Sequence, residues 1–289
     1  MKICLLSLLV ISFCYVRAQD TITCYFDEQL ALTGKKQSVY PGKMIAHKHG
    51  WEAFALHSNG NVLMHGFFAD KKLNIKHGEY SIYYFNGNRR ALTYFNKNRA
   101  DGIFLSWHMN GQMSDSGLIQ QQFRTGLWKT WYTNGNPESE GVYVNSDPEG
   151  EWRWYHPNGK PATMEVYGNK KLQDLTCYDT TGNATGSNCR IEKKPCPSNA
   201  YDFDEFIIEN LLYPKEALKK GIEGNVSFEF LITREGKLTS INFTNEANTL
   251  LQEEIVRLLK SVKEWYPAVS HNRSIDYLYS YTVPFYLPD

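Results

Sequence analysis

The sequence predicts a mainly β chain followed by a small α+β portion: an antiparallel β-meander of 24-residue hairpin repeats, then a compact mixed domain. Four observations carry this reading. Asn-Gly pairs fall at Asn86-Gly87, Asn110-Gly111, Asn134-Gly135 and Asn158-Gly159, 24 residues apart each time. Nine residues before each of these glycines stands another: Gly78, Gly102, Gly126 and Gly150. Aromatics follow at the second position after it (Tyr80, Phe104, Trp128, Trp152) and at the fifth (Tyr83, Trp107, Trp131, Tyr155). From Tyr201 the period disappears, and helical and two-residue periodicities alternate instead. Self-similarity this strict decides the architecture before any local propensity does.

Asn-Gly between aromatic and β-branched runs is a strong hairpin signal, and a two-residue turn of that kind needs φ > 0 at both central positions. A second, polar turn closes each period at Asn96 to Asp101, Gln120 to Thr125 and Asn145 to Glu149. One hairpin is barely stable in water, so neighbouring units must stack over a shared aromatic layer. The ends depart from the period. Asn59-Gly60 precedes Gly87 by 27 residues, with Ala53 and Leu56 in the aromatic slots. Thr181-Gly182 follows Gly159 by 23, with Leu175 and Tyr178 there. Atypical terminal units are what caps of an array look like. The second and fifth positions differ by an odd number, so in a regular strand they point to opposite faces. Most large aromatics are core, yet one row, the fifth (Tyr83, Trp107, Trp131, Tyr155) or the second, is expected to keep accessible ring surface.

The pattern Gly-x-aromatic-x-x-aromatic-Tyr/His-x-Asn-Gly resembles bacterial MORN-variant repeats over roughly half of the chain. Resembling repeats occur in antitoxin-type immunity proteins, which act by covering a partner.

The composition permits two modest cores: 289 residues, 42% hydrophobic, with 31 basic and 31 acidic groups. That balance gives no footprint for nucleic acid. Met1-Lys2, the apolar run Ile3 to Val16 and Val16-Arg17-Ala18 read as a secretory signal cleaved near Ala18, because the run is shorter than the roughly 20 residues a membrane span needs. An uncleaved anchor is the alternative. Four of the six cysteines lie beyond it: Cys24, Cys177, Cys189 and Cys196. In an exported chain they imply disulfides with three pairings open. A bridge is expected within the cluster near the domain junction, Cys177 to Cys189 being favoured. The expected organisation is a signal peptide at 1–18, a lead-in at 19–49, repeats at 50–187, a linker at 188–200 and a C-terminal domain at 201–289.

Within that domain, Asp204 to Leu212 is helical, and Pro214 restarts a helix at a favoured first position. Asn225 to Ile232 alternates as a half-buried strand, and Arg234-Glu235-Gly236 turns into a second, Lys237 to Phe243. Thr249 and Gln252 read as a capping box opening a helix with one apolar stripe. A last strand runs from Ile275 to Tyr286. Helices on an antiparallel sheet make a small sandwich. Tyr213-Pro214, Gly221-Ile222-Glu223-Gly224, Gly236, Trp265-Tyr266-Pro267-Ala268 and Val283-Pro284-Phe285 resemble the TonB C-terminal domain. That resemblance implies capture of an extended segment, such as part of an outer-membrane receptor, by pairing with the final strand. Carried over, the binding edge is Ile275, Asp276, Tyr277, Leu278 and Tyr279, flanked by Tyr213 and Pro214. Energy-transducing members keep a membrane anchor with a histidine and a Pro-rich spacer. Here no His precedes His47 and the eleven prolines form no tract.

Chemistry finds little purchase. His47, His49 and His57 lack a carboxylate or cysteine at ligand spacing, and His108 and His156 occupy the repeat position of Tyr84 and Tyr132. Asp202, Asp204 and Glu205 suit a helix N-terminus. No nucleophile elbow, phosphate loop or zinc-protease motif is present. The expectation is a non-enzymatic, periplasmic or secreted binding or scaffold protein. It needs no cofactor or metal, binds protein or peptide rather than nucleic acid, is not integral to the membrane after signal cleavage, and can self-associate through open sheet edges. Two alternatives stand beside it: a TonB-type energy transducer, and an antitoxin-type MORN protein.

Overall fold

The computed structural model describes residues 21–287; the expected signal segment lies outside them. Fourteen strands pair in chain order as one antiparallel meander. These are β1 (Thr21–Phe26), β2 (Tyr40–His47), β3 (Gly50–Leu56), β4 (Val62–Phe68), β5 (Lys76–Tyr83), β6 (Arg89–Asn96) and β7 (Arg99–Trp107), followed by β8 (Met113–Gln120), β9 (Phe123–Trp131), β10 (Pro137–Val144), β11 (Asp147–Tyr155), β12 (Pro161–Gly168), β13 (Lys171–Tyr178) and β14 (Ala184–Gly186). The chain divides into two compact units, the first ending at Trp128 and the second beginning at Lys129.

In the first unit, the lead-in residues contribute β1 and β2 to the sheet. Cys24, Phe26, Met44, Ala53, Ala55, Met64 and Phe68 form a buried cluster there. Burial pushes the Cys24 thiol up to about 11.

The turns correct the sequence expectation. At Asn86-Gly87 only the glycine has positive φ, 88°. Gly87 N–H donates to Tyr84 C=O at 2.9 Å and Tyr84 N–H to Asn88 C=O at 2.8 Å. This is a type I turn closed by a glycine bulge, and it needs one left-handed residue rather than two. The ladder shifts register beside it, between Ile82 and Tyr83, and likewise beside the Asn110-Gly111 turn, between Ser106 and Trp107. The two-residue turns with both φ positive are the polar ones, Lys97-Asn98 (49° and 68°) and Gln121-Gln122 (50° and 76°), and in the second unit Asn145-Ser146 (52° and 69°).

The asparagines serve a different purpose. Asn59 and Asn61 both donate through Nδ2 to Phe85 C=O at 2.9 Å, and Asn86 and Asn88 both donate to Met109 C=O at 2.9 Å. In the second unit Asn134 and Asn136 do the same to Pro157 C=O. Each Asn-Gly-Asn turn thus staples itself to the next turn. Asn88→Ala or Asn136→Ala is expected to cost about 1 kcal/mol, the net worth of one such bond, read from a lower urea midpoint at unchanged slope.

The second aromatic row packs into gaps left by glycine. Trp128 lies over Gly117, where a Cβ would meet the indole at 2.2 Å, and its N–H donates to Leu118 C=O at 3.2 Å. Trp152 lies over Gly141 in the same way, at 2.1 Å, and donates to Val142 C=O at 3.0 Å. Both indoles are buried, while Tyr80 and Phe104 in the same row are half-buried. The fifth row, Tyr83, Trp107, Trp131 and Tyr155, is half-buried throughout. Arg89 lies against two of its rings, 5.7 Å from Tyr83 and 5.6 Å from Trp107.

The second unit continues from the last hairpins through β15 (Glu192–Lys193) and β16 (Cys196–Pro197) into the C-terminal domain. This domain holds α1 (Phe203–Asn210), α2 (Lys215–Lys219), β17 (Gly224–Ile232), β18 (Leu238–Phe243), α3 (Thr249–Ser261), β19 (Trp265–Tyr266), β20 (Ala268–Ser270), β21 (Arg273–Ile275) and β22 (Tyr277–Phe285). Phe203, Phe206 and Ile207 of α1 and Leu251, Ile255, Leu258 and Leu259 of α3 are buried with Val226, Phe228, Phe230, Tyr279 and Val283 of the sheet. Asn248, not Thr249, caps α3, its side chain accepting from Leu250 N–H. The stretch expected as linker is not structureless: β15 pairs with β20 and β16 with β19. Cys177 and Cys189 form the disulfide, and Cys24 and Cys196 are buried free thiols.

The β20–β21 hairpin fastens this domain to the last repeats. His271 and Asn272, with φ 48° and 60°, form its tip. The His271 ring stacks on Trp154 at 3.6 Å, and its Nδ1 lies 2.7 Å from Oε1 of the buried Glu165. Asn272 donates to Tyr178 C=O at 2.9 Å. Arg273, 5% exposed, lies 4.9 Å from the Trp154 ring and donates to Tyr132 Oη at 2.8 Å and Glu138 Oε1 at 3.2 Å.

Candidate strand-binding edge

The three-stranded sheet of the C-terminal domain runs β18-β17-β22, so β22 is an edge. Which of its amides face outward follows from its neighbour. Ser227 of β17 turns its backbone groups toward the β18 side: its N–H donates to Asn245 Oδ1 at 2.8 Å, and its C=O accepts from Thr244 N–H at 2.9 Å. Ser227 lies opposite Thr282 in an uninterrupted antiparallel register. That pair is therefore a non-hydrogen-bonded one, and the N–H and C=O of Thr282 point away from β17. By alternation, so do those of Leu278 and Ser280. Pro284 shares this parity, which suits a residue that has no donor to offer a central ladder. The side chains of Leu278, Ser280, Thr282 and Pro284 are exposed, while Tyr279, Val283 and Phe285 face the core.

A cleft of about 870 Å³ lies against this edge at Tyr277 to Tyr281. Its far wall is residues 190–196 and the start of α1. Two tyrosines bridge the walls: Tyr279 Oη donates to Pro195 C=O at 2.5 Å, and Tyr281 Oη donates to Asp204. Burial raises the Tyr279 phenol, and burial followed by the Asp204 bond pushes Tyr281 up to about 12. Both stay protonated and donating at neutral pH.

The residues expected to form the edge are only partly brought together. Tyr277, Leu278 and Tyr279 open β22. Ile275 belongs to β21, paired with Ala268. Asp276 sits at the break between the two strands, where its carboxylate accepts from Arg234 N–H at 2.7 Å and from the guanidinium at 3.1 Å. The guanidinium first, then that N–H, hold its carboxyl below the usual range. Tyr213 lies at the other end of the strand, its ring edge-on to Phe285 at 5.7 Å and its hydroxyl on Ile222 C=O. Pro214 caps α2. Ser280, Thr282 and the 190–196 wall were absent from the sequence expectation. Pro284 within an alternating strand was the available sign of an edge.

Residues 209–287 match the family model of the Gram-negative bacterial TonB protein C-terminal, and residues 76–97, 124–145 and 148–169 match the MORN repeat variant. No curated protein matches the chain. Both families are non-enzymatic, and TonB C-terminal domains mediate protein–protein interactions in the bacterial envelope; together they suggest an envelope-associated binding protein. Among the described residues, no helix is long and apolar enough to cross a membrane, and no group of His, Cys, Asp and Glu is placed to hold a metal ion.

Proposed function

We propose that this is an exported, non-enzymatic envelope protein whose C-terminal domain captures an extended peptide by adding it to β22, while the repeats offer a second contact surface through their half-buried ring row. The outward parity of Leu278, Ser280 and Thr282 beside a cleft supports this reading most directly. An edge of that kind presents donors and acceptors in register for an incoming strand. Ser280→Pro tests it, because proline there removes an outward donor at a position of the same parity as Pro284. Titration with an alternating threonine–valine octapeptide is expected to move the amide resonances of Leu278, Ser280 and Thr282 in the native protein and to leave those of Leu278 and Thr282 in place in the variant. Equal binding by both proteins, with equal urea midpoints, rejects strand addition at this edge.

A further inference from the structure

The cleft is charged unevenly along its length, and its basic wall lies outside the residues that match the TonB family model. Arg190, Lys193 and Lys194 line it together with Tyr266 and Tyr277, and the single carboxylate among them, Glu192, leaves that stretch net basic. Asp202 and Asp204 line it as well, and Asp204 holds the hydroxyl of Tyr281. Lys193 places its ammonium 5.3 Å from the Tyr266 ring, which fixes the basic end beside β19. Among the described residues, none of the three cations has an ion-pair partner. The wall is firmly held: the Cys177–Cys189 disulfide ties its start to β13, and the β15/β20 and β16/β19 ladders tie the rest to the domain.

Resting on the strand-capture reading, we propose that segment 190–196 is a specificity wall that selects a peptide with two opposite charges on one face. Tyr277 and Tyr281 are four residues apart, about 13 Å along a strand. The occupant's charges therefore sit about four residues apart, an even number that keeps both side chains on the cleft side. β22 runs antiparallel to β17, and sheets favour a single pairing sense. An incoming antiparallel strand meets Tyr281 first and Tyr277 later. Its basic residue, facing Asp204, thus precedes its acidic residue, facing Lys193 and Lys194: Lys-x-x-x-Glu in chain order.

Five synthetic octapeptides on a threonine–valine background test this, titrated into the full chain by fluorescence anisotropy at low salt. They carry no charge, Lys-x-x-x-Glu, Glu-x-x-x-Lys, Lys alone, or Lys-x-x-Glu with the charges on opposite faces. Two partly exposed pairs should make Lys-x-x-x-Glu bind about fivefold to tenfold tighter than the uncharged peptide. Raised salt should erase the gain, and the double variant Lys193→Glu, Lys194→Glu should transfer the preference to the peptide with lysine alone. If all five bind alike and Ser280→Pro abolishes binding, strand capture stands and the charge wall is overturned. Preference for the reversed or odd-spaced peptide also overturns it. Failure of every peptide to bind removes the strand-capture reading itself.

Discussion

Glu165→Ala is expected to destabilise the second unit by about 3–5 kcal/mol, the cost of removing one partner from a buried, hydrogen-bonded charge site. The carboxylate is fully buried. It accepts from Thr163 Oγ at 2.8 Å and Tyr167 Oη at 2.7 Å, and His271 Nδ1 of the docking hairpin lies 2.7 Å away. Alanine leaves those three polar groups without their acceptor. Burial alone would push this carboxyl up; the bonds from His271, Tyr167 and Thr163 outweigh it and hold it below the ordinary range. The pH dependence follows from that sign. The unfolded chain takes up the proton at a higher pH than the folded one does, so the contribution is complete above the ordinary carboxylate range. It is lost as pH falls through that range to the depressed native value. Urea unfolding at neutral pH and at falling pH checks both parts. The gap between native protein and Glu165→Gln should shrink as the solution becomes acidic. A Glu165→Ala midpoint equal to the native one would show that the hairpin docks without this carboxylate.

What the sequence made legible, and what it hid, divides along the range of the interactions. The meander was readable because each hairpin is decided by residues within one 24-residue period. Alternating aromatics and a glycine at each turn are sufficient for that. The helices and the three longer strands of the C-terminal domain were readable for the same local reason, with boundaries off by a residue or two, whereas the short strands β19, β20 and β21 were not. The turn type was not. Asn-Gly is compatible with a two-residue turn and with a type I turn plus glycine bulge, and what decides here lies a repeat away, where Asn86 and Asn88 reach Met109 C=O. The break at Asp276 was hidden because Arg234, which holds it, is 42 positions distant. Arg273 carried no sequence signal at all: its partners Tyr132 and Glu138 are 141 and 135 positions away. The edge itself was half visible. Alternation located β22, but the outward parity of Ser280 depends on Ser227, Thr244 and Asn245 across the sheet.

Trp152→Ala should cost about 3–5 kcal/mol, the range for deleting a fully enclosed aromatic, since the indole is 3% exposed and its N–H is bonded to Val142 C=O. The glycine beneath it gives this prediction a sharper form. A Cβ on Gly141 would lie 2.1 Å from the ring, far inside contact distance, and Gly141 has no positive φ that would strain an alanine by itself. The three atoms nearest to such a Cβ all belong to the indole, which is therefore the obstacle to Gly141→Ala. In the native background it is expected to cost about 1–3 kcal/mol through overpacking. In the Trp152→Ala background those nearest atoms are gone, and the same change should be neutral, or slightly stabilising, because glycine is the poorer strand former. The coupling between the two sites then equals most of the single-variant cost. Four urea titrations complete the cycle: native, each single variant, and the pair. Additive costs would mean that Gly141 is required for its backbone rather than for the ring, and the pairing of a missing Cβ with a flat indole would lose its place as the reason tryptophan recurs at Trp128 and Trp152.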